Sequence, residues 1–397
     1  MKVFVTGIGA ISPIGLNIKE NLSHLRSGTT GISPSKYFNS KYSKTHLFGE
    51  VKISNNELIE LLNLTSSNGL TRTCLLAFKA FEEAVLDSGL LEQEISNFET
   101  AFISASTVGG MCLTDQLYLD ANLQSKTSDY AKSYGFSAHS FQIIKKYKIK
   151  GWTDTINTAC SSSANAIMLA YRLIKSGRAK RVIVGGVDSI AKYTVNGFSA
   201  LDIFSTEICK PFDKDRKGLN IGEGAAYLVL ESEEISQNKV KYAQISGYGN
   251  ANDAYHASSI SENATGVVNS ISQAIESANI KESDIDYINA HGTATGNNDF
   301  VELKAFTKIF KDVPLFNSTK SYTGHMLGAS GAIEAVYTAL SIKNQELYPS
   351  LNFTNPIEEY NLKPILEFKP NCKIKHALSN SYGFSGSCTS LILSKAE

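Results

Sequence analysis

The chain has 397 residues, 42% hydrophobic and 19% charged, with 38 Lys and Arg against 38 Asp and Glu. That length can bury a large core, as one big domain or two fused halves. Zero net charge excludes the broad basic field of a nucleic-acid binder. The six Cys (74, 112, 160, 209, 372 and 388) form no CxxC pair and no regular framework, which argues for a reducing compartment over a disulfide scaffold or zinc ribbon.

The opening Met1-Lys2-Val3-Phe4-Val5-Thr6-Gly7-Ile8-Gly9 is broken by glycines and reaches Pro13 without a small-residue cleavage pattern. It reads as a first strand and not a signal sequence. No apolar run approaches a membrane span, so a cytoplasmic protein without membrane contact is expected. Strands are predicted at 3–8, 101–105, 154–158, 181–185, 225–231, 243–247, 285–289, 314–317, 377–381 and 389–394. Helices are predicted at 72–88, 161–176, 266–278, 299–310 and 329–343. The alternation is that of an α/β protein. Residues 111–150, rich in Tyr, Lys and Ser, read as an irregular insertion holding one or two helices.

An internal repeat runs through this order. Val5-Thr6-Gly7-Ile8-Gly9 returns as Ile245-Ser246-Gly247-Tyr248-Gly249, and Ile103–Gly109 is echoed by Ile288–Gly296. The junction at Cys160 has a counterpart at Leu315–Ser318, and Val182–Gly186 has one at Leu378–Gly383. Four pairs in one order predict a duplicated α/β unit joined near Ser236–Lys241. The expected halves are 1–240, carrying the Cys, and 241–397, carrying two His and a Lys, with the site at their seam.

Cys160 follows a β-branched run and precedes Ser161-Ser162-Ser163-Ala164 and a helical pattern. A thiol at a strand end and helix start is exposed to the helix dipole, which favours the thiolate. Small neighbours admit a substrate carbonyl and leave N–H groups free for half of an oxyanion hole. The alternative for such a residue is a small buried hydrophobe. His291 stands at a strand end before Gly292 and Thr293, where α/β proteins place their sites. His325 lies in the glycine-punctuated stretch Lys320–Gly331. Neither His has a second metal ligand at helical or turn spacing. Lys320 reads as a structured ion-pair member with Glu302 as its partner, against the alternative of a solvated loop lysine. The run Tyr382-Gly383-Phe384-Ser385-Gly386-Ser387-Cys388 lacks GK[ST] and suits a gate over an apolar tunnel better than a phosphate loop. A Cys with two His and a Lys reads as acyl-transfer chemistry.

These stretches together resemble the elongating β-ketoacyl-acyl carrier protein synthases of the thiolase-like superfamily, over essentially the whole chain. The resemblance rests on Asn157–Ser162, Asn289–Thr295, Lys320–Gly331 and Asn380–Gly386, with Pro211–Gly218 and Gly222–Ala225. It implies a thiolase-like fold of two similar α/β halves in five αβαβα layers. It also implies a homodimer, or a heterodimer with a chain-length factor, acting on acyl carrier protein. No metal or resident cofactor is implied, since phosphopantetheine arrives on the carrier. Cys160 would hold the acyl chain as a thioester. His291 and His325 would bind the malonyl carbonyl, promote decarboxylation and stabilise the enolate. Lys320 would fix the second His electrostatically, with Glu302 as its ion-pair partner. The N–H groups of Cys160 and Phe384 would form the oxyanion hole, and Phe384 would gate malonyl entry. Thr293 and Thr295 would bond the phosphopantetheine arm, and Val108 would line the acyl pocket near the dimer seam.

Some positions depart from the pattern. Pro usually follows HGTxT, where Gly296 stands here, and the gate usually reads GFGGTN, where Ser385, Ser387 and Cys388 intervene. Ser385 in place of Gly restricts a hinge. Cys388 is taken as structural. Fatty acid elongation is the expected activity, with a specialised polyene or polyketide pathway as the alternative. A non-catalytic chain-length factor would lack the nucleophile that Cys160 supplies. An acidic carrier requires a basic entrance; Lys210, Lys214, Arg216 and Lys217, or Arg72 with Lys79, are the candidates.

Overall fold

The computed structural model describes residues 1–396. Ten strands form: β1 (Val3–Ile11), β2 (Thr100–Ala105), β3 (Thr153–Ile156), β4 (Arg181–Asp188), β5 (Gly224–Ser232), β6 (Ala243–Asn252), β7 (Tyr287–Asn289), β8 (Leu315–Asn317), β9 (His376–Gly383) and β10 (Ser387–Ser394). Each overlaps a predicted strand. Their spatial order is β3-β2-β4-β5-β1-β6-β10-β9-β7-β8. The first five strands take the order 3-2-4-5-1, and the last five, read from the other edge, take 8-7-9-10-6. That is the same order with every number raised by five. The duplication is thus built into the topology. The two groups are joined edge to edge by only three residue pairs, Val3 with Ile245, Phe4 with Gln244 and Val5 with Ala243.

Layering follows from which strands read apolar on both faces. Val182-Ile183-Val184 is buried throughout, the pattern of a sheet covered on both sides. Helix Arg72–Asp87 packs on β1 and β5 outside the first sheet, and Thr265–Ala278 covers β6 and β10 outside the second. Between the sheets lie helices Ser162–Lys175 and Ser330–Asn344, in contact with each other and with strands of both halves. Small residues permit this close central layer: a Cβ on Gly331 would sit 2.7 Å from the Ala164 nitrogen. The order is helix, sheet, helix, sheet, helix. The 111–150 insertion holds helices Thr114–Leu123 and Ala138–Tyr147. Helices Ile18–Ser27, Asn55–Leu61 and Lys192–Ala200 were not predicted.

Candidate active site

β3 ends at Ile156, two residues earlier than expected, because Asn157–Ser161 folds into a tight turn before helix Ser162–Lys175. Ala159 takes φ 54°, the left-handed region, uncommon for a residue with a Cβ. Ser162 holds the turn: its N–H reaches Ala159 O at 3.1 Å and its hydroxyl accepts from Thr158 N–H at 2.8 Å. Cys160, next in line, is 6% exposed. Burial pushes its thiol up to about 11, against the pull of Lys320 and of the N–H groups of Phe384 and Cys160 itself. The expectation that the helix start would favour the thiolate does not hold here, since desolvation outweighs those attractions.

His291 leaves β7 and His325 follows the short helix Lys320–Thr323. Their rings meet edge-on, centroids 5.5 Å apart. His325 Nδ1 accepts from Leu327 N–H at 3.2 Å, with the Ser330 hydroxyl at 3.0 Å. Lys320 Nζ lies 3.3 Å from His291 Nδ1 and donates to His291 O at 2.6 Å. An N–H donor at each Nδ1 leaves the ring proton on Nε2. Burial first, and then the Lys320 charge, hold both imidazoles well below the usual 6.5. Both are therefore neutral Nε2–H donors at neutral pH.

A cavity of ≈ 180 Å³ is lined by Cys160, His291, His325, Thr293, Thr295 and Phe384 among others. The Thr293 and Thr295 hydroxyls bond each other at 2.9 Å. Phe384 stacks on Phe198, centroids 5.6 Å apart. Ser385 next to it sits at φ 64°. Its N–H donates to Ala257 O at 2.8 Å, and its carbonyl accepts from Asn252 at 3.2 Å. Among the described residues no cluster of three or more His, Cys, Asp or Glu could hold a metal ion, and no helix is long and apolar enough to cross a membrane.

A family model described as "Beta-ketoacyl synthase, N-terminal domain" matches residues 1–235, and its C-terminal counterpart matches 242–354. The chain belongs to the beta-ketoacyl synthase family. It is similar to 3-oxoacyl-[acyl-carrier-protein] synthase 2 of Staphylococcus aureus strain MRSA252, at 32% identity over 411 residues, covering 100% of this chain and 99% of that one. The enzyme of the same name from Coxiella burnetii is 33% identical over 414 residues, covering 99% and 98%. Among solved structures, the ishigamide ketosynthase/chain length factor superposes with TM-score 0.93 at 26% identity, covering 100% of this chain and 99% of that one. As a beta-ketoacyl synthase, the chain is an acyltransferase that forms carbon–carbon bonds.

Within this beta-ketoacyl synthase two sequence-based assignments need correction. Glu302 is not the partner of Lys320. Its carboxylate accepts from His291 N–H at 2.8 Å, Gly292 N–H at 2.9 Å and Asn380 at 3.3 Å. It shapes the His291 loop, and burial raises it to about 7. The ion-pair partner is Glu334, in direct contact with Lys320 Nζ and also raised to about 7 by burial, with Lys320 opposing. Lys320 hydrogen-bonds the first His, while on the second, whose Nδ1 faces Leu327 and Ser330, it acts through its charge. Val108 does not line the cavity. It belongs to a small apolar cluster with Ala191 and Leu327, against which Phe198, a lining residue, packs, and its N–H donates to Asp188 at 2.8 Å. Glu334 could have been found: it is the one acid in Ser330–Asn344. A lone carboxylate on an otherwise apolar helix needs a buried cation. Asp188, which also accepts from Gly328 N–H at 2.7 Å, carried no comparable signal.

Proposed function

We propose that the chain condenses an acyl group held on Cys160 with a malonyl group on acyl carrier protein, in fatty acid elongation. The observation that carries this reading is one small cavity uniting a buried thiol with two neutral imidazoles that each present Nε2–H. In the first half-reaction Cys160 Sγ attacks the acyl thioester carbonyl, the carrier's thiol departs, and the thiol proton leaves with it. The tetrahedral oxyanion rests on the N–H groups of Cys160 and Phe384. In the second, Nε2–H of His291 and His325 bond the malonyl thioester oxygen. The bond to the carboxylate breaks, CO2 leaves, and its electron pair becomes an enolate. The enolate carbon attacks the acyl-Cys160 carbonyl, and collapse releases the 3-oxoacyl carrier and the Cys160 thiolate, which takes a proton from water to restore the thiol. Lys320 keeps the imidazoles neutral and sits near the enolate charge, while Glu302 positions the His291 loop.

Thr293 and Thr295 would receive the phosphopantetheine arm, Phe384 would gate the cavity, and Val108 would act on acyl shape through Phe198. Residues 1–240 and 241–397 would be the two functional halves, each supplying part of the site. A homodimer in the cytoplasm fits, as the six free Cys suit a reducing setting. A specialised polyene or polyketide pathway, with a chain-length factor as partner, is the second reading. The departures at Ser385, Ser387 and Cys388 favour it, as does likeness to the ishigamide ketosynthase/chain length factor. The test is purified chain with acyl and malonyl carriers, scored by mass for 3-oxoacyl product. Turnover of saturated chains is expected. Turnover of polyunsaturated chains alone would move the chain to the second reading, and no product from any donor would refute both.

A further inference from the structure

The two N–H groups beside Cys160 Sγ come from opposite halves of the chain. One belongs to the turn after β3, the other to the end of β9. Their separation is therefore set by whatever locks that turn to the second sheet. The backbones already touch: a Cβ on Gly383 would lie 2.7 Å from Thr158 O and 3.2 Å from Cys160 N. Contact alone resists approach but not drift apart, and left-handed Ala159 gives the turn a reason to relax.

Asn165, one turn into helix Ser162–Lys175 and 7% exposed, spans this seam. Its Nδ2 donates to Thr158 Oγ1 at 2.8 Å and lies 3.5 Å from Ser387 Oγ. Its Oδ1 accepts from Thr389 Oγ1 at 2.7 Å and from Asn250 Nδ2 at 2.9 Å. Ser161 Oγ lies 2.8 Å from Ser387 Oγ and 2.8 Å from Thr158 O. One carboxamide thus grips the nucleophile turn on one side and β6 and β10 on the other, with Ser387 three residues from Phe384. We propose that Asn165, with Ser387, is a positioning residue for acyl transfer, fixing the distance between the Cys160 and Phe384 N–H groups. The inference rests on the reading above that these groups hold the oxyanion. His291 and His325 are held by Lys320, Leu327 and Ser330, all outside this network. Decarboxylation should therefore be insulated from it.

The test uses Asn165→Ala and Ser387→Ala with two probes. Acyl transfer from octanoyl-N-acetylcysteamine to Cys160 is followed by intact mass, and CO2 release from malonyl-coenzyme A is followed without an acyl donor. One oxyanion donor is worth about 100- to 1,000-fold in kcat. Partial misplacement by Asn165→Ala should then slow acylation about 10- to 100-fold with KM little changed. CO2 release should stay within about threefold of wild type, roughly what 0.6 kcal/mol allows. Ser387→Ala, removing one hydroxyl, should show the same split more weakly and serves if Asn165→Ala does not fold. Parallel loss of both reactions, or acylation at the wild-type rate, would overturn the proposal. A wild type that never acylates would refute the underlying reading as well.

Discussion

Neutral imidazoles beside an ammonium are what burial enforces: of the three cationic candidates, only Lys320 has a carboxylate within ion-pair distance. Glu334→Gln would strand that ammonium, and stranding one partner of a buried pair costs about 3–5 kcal/mol. Chemical denaturation should show a loss of that order. Glu334→Gln combined with Lys320→Met should recover much of it while condensation stays abolished. A double variant as unstable as the sum of the singles would show that the pair does not interact. The thiol gives a prediction in pH. Because burial raises the Cys160 thiol towards 11, the thiolate is the minor form at neutral pH and grows as pH rises. Alkylation of Cys160 by iodoacetamide should climb about tenfold per pH unit from pH 6 to 9, with no plateau. A plateau below pH 7 would mean that the helix start and Lys320 outweigh desolvation after all.

At the scale of elements, the loop between β9 and β10, proposed above as a gate, is where sequence and structure inform each other most. Its composition suggested a hinge, but not what Phe384 packs against. Phe384 rests on Phe198 from helix Lys192–Ala200, nearly 190 residues distant in sequence, and no local pattern announces such a partner. Phe198→Ala removes a stacking contact worth about 0.5–1.5 kcal/mol. Faster opening by about 2- to 12-fold should follow, read as faster labelling of Cys160 by a bulky maleimide at constant pH. An unchanged rate would show that Phe198 does not restrain the gate. The helix that carries Phe198 was itself missed. Its sequence Lys192-Tyr193-Thr194-Val195-Asn196-Gly197-Phe198 mixes β-branched residues with a Gly, against helix propensity, and tertiary packing decides its state. Strands such as β1, β4 and β5 were legible as short apolar runs that both faces bury, whereas β6 alternates buried with half-buried residues and β3 starts exposed. The five long helices were legible from their periodicity.

For the whole molecule, the duplicated strand order explains why the site falls where it does. Each half ends β3 or β8, and β2 or β7, at corresponding points, and the seam brings Cys160 from one half against His291, His325 and Phe384 from the other. The repeat could be read in the sequence because matching glycine-broken strands recur in one order. The lone acid of Ser330–Asn344 marked Glu334 as needing a buried cation, but Glu302 also lies on a helix facing the seam, and the packed structure decides which of the two meets Lys320. The choice has a physical reason: Glu302 is consumed by the N–H groups of His291 and Gly292, which would otherwise be buried without acceptors. The central claim is that Cys160 is a nucleophile that becomes acylated in this seam. Intact-mass measurement after exposure to a panel of acyl carrier thioesters tests it most directly. The account predicts a single acyl adduct on the wild type and none on Cys160→Ala, while an adduct that persists in Cys160→Ala, or no adduct on either protein, would contradict it.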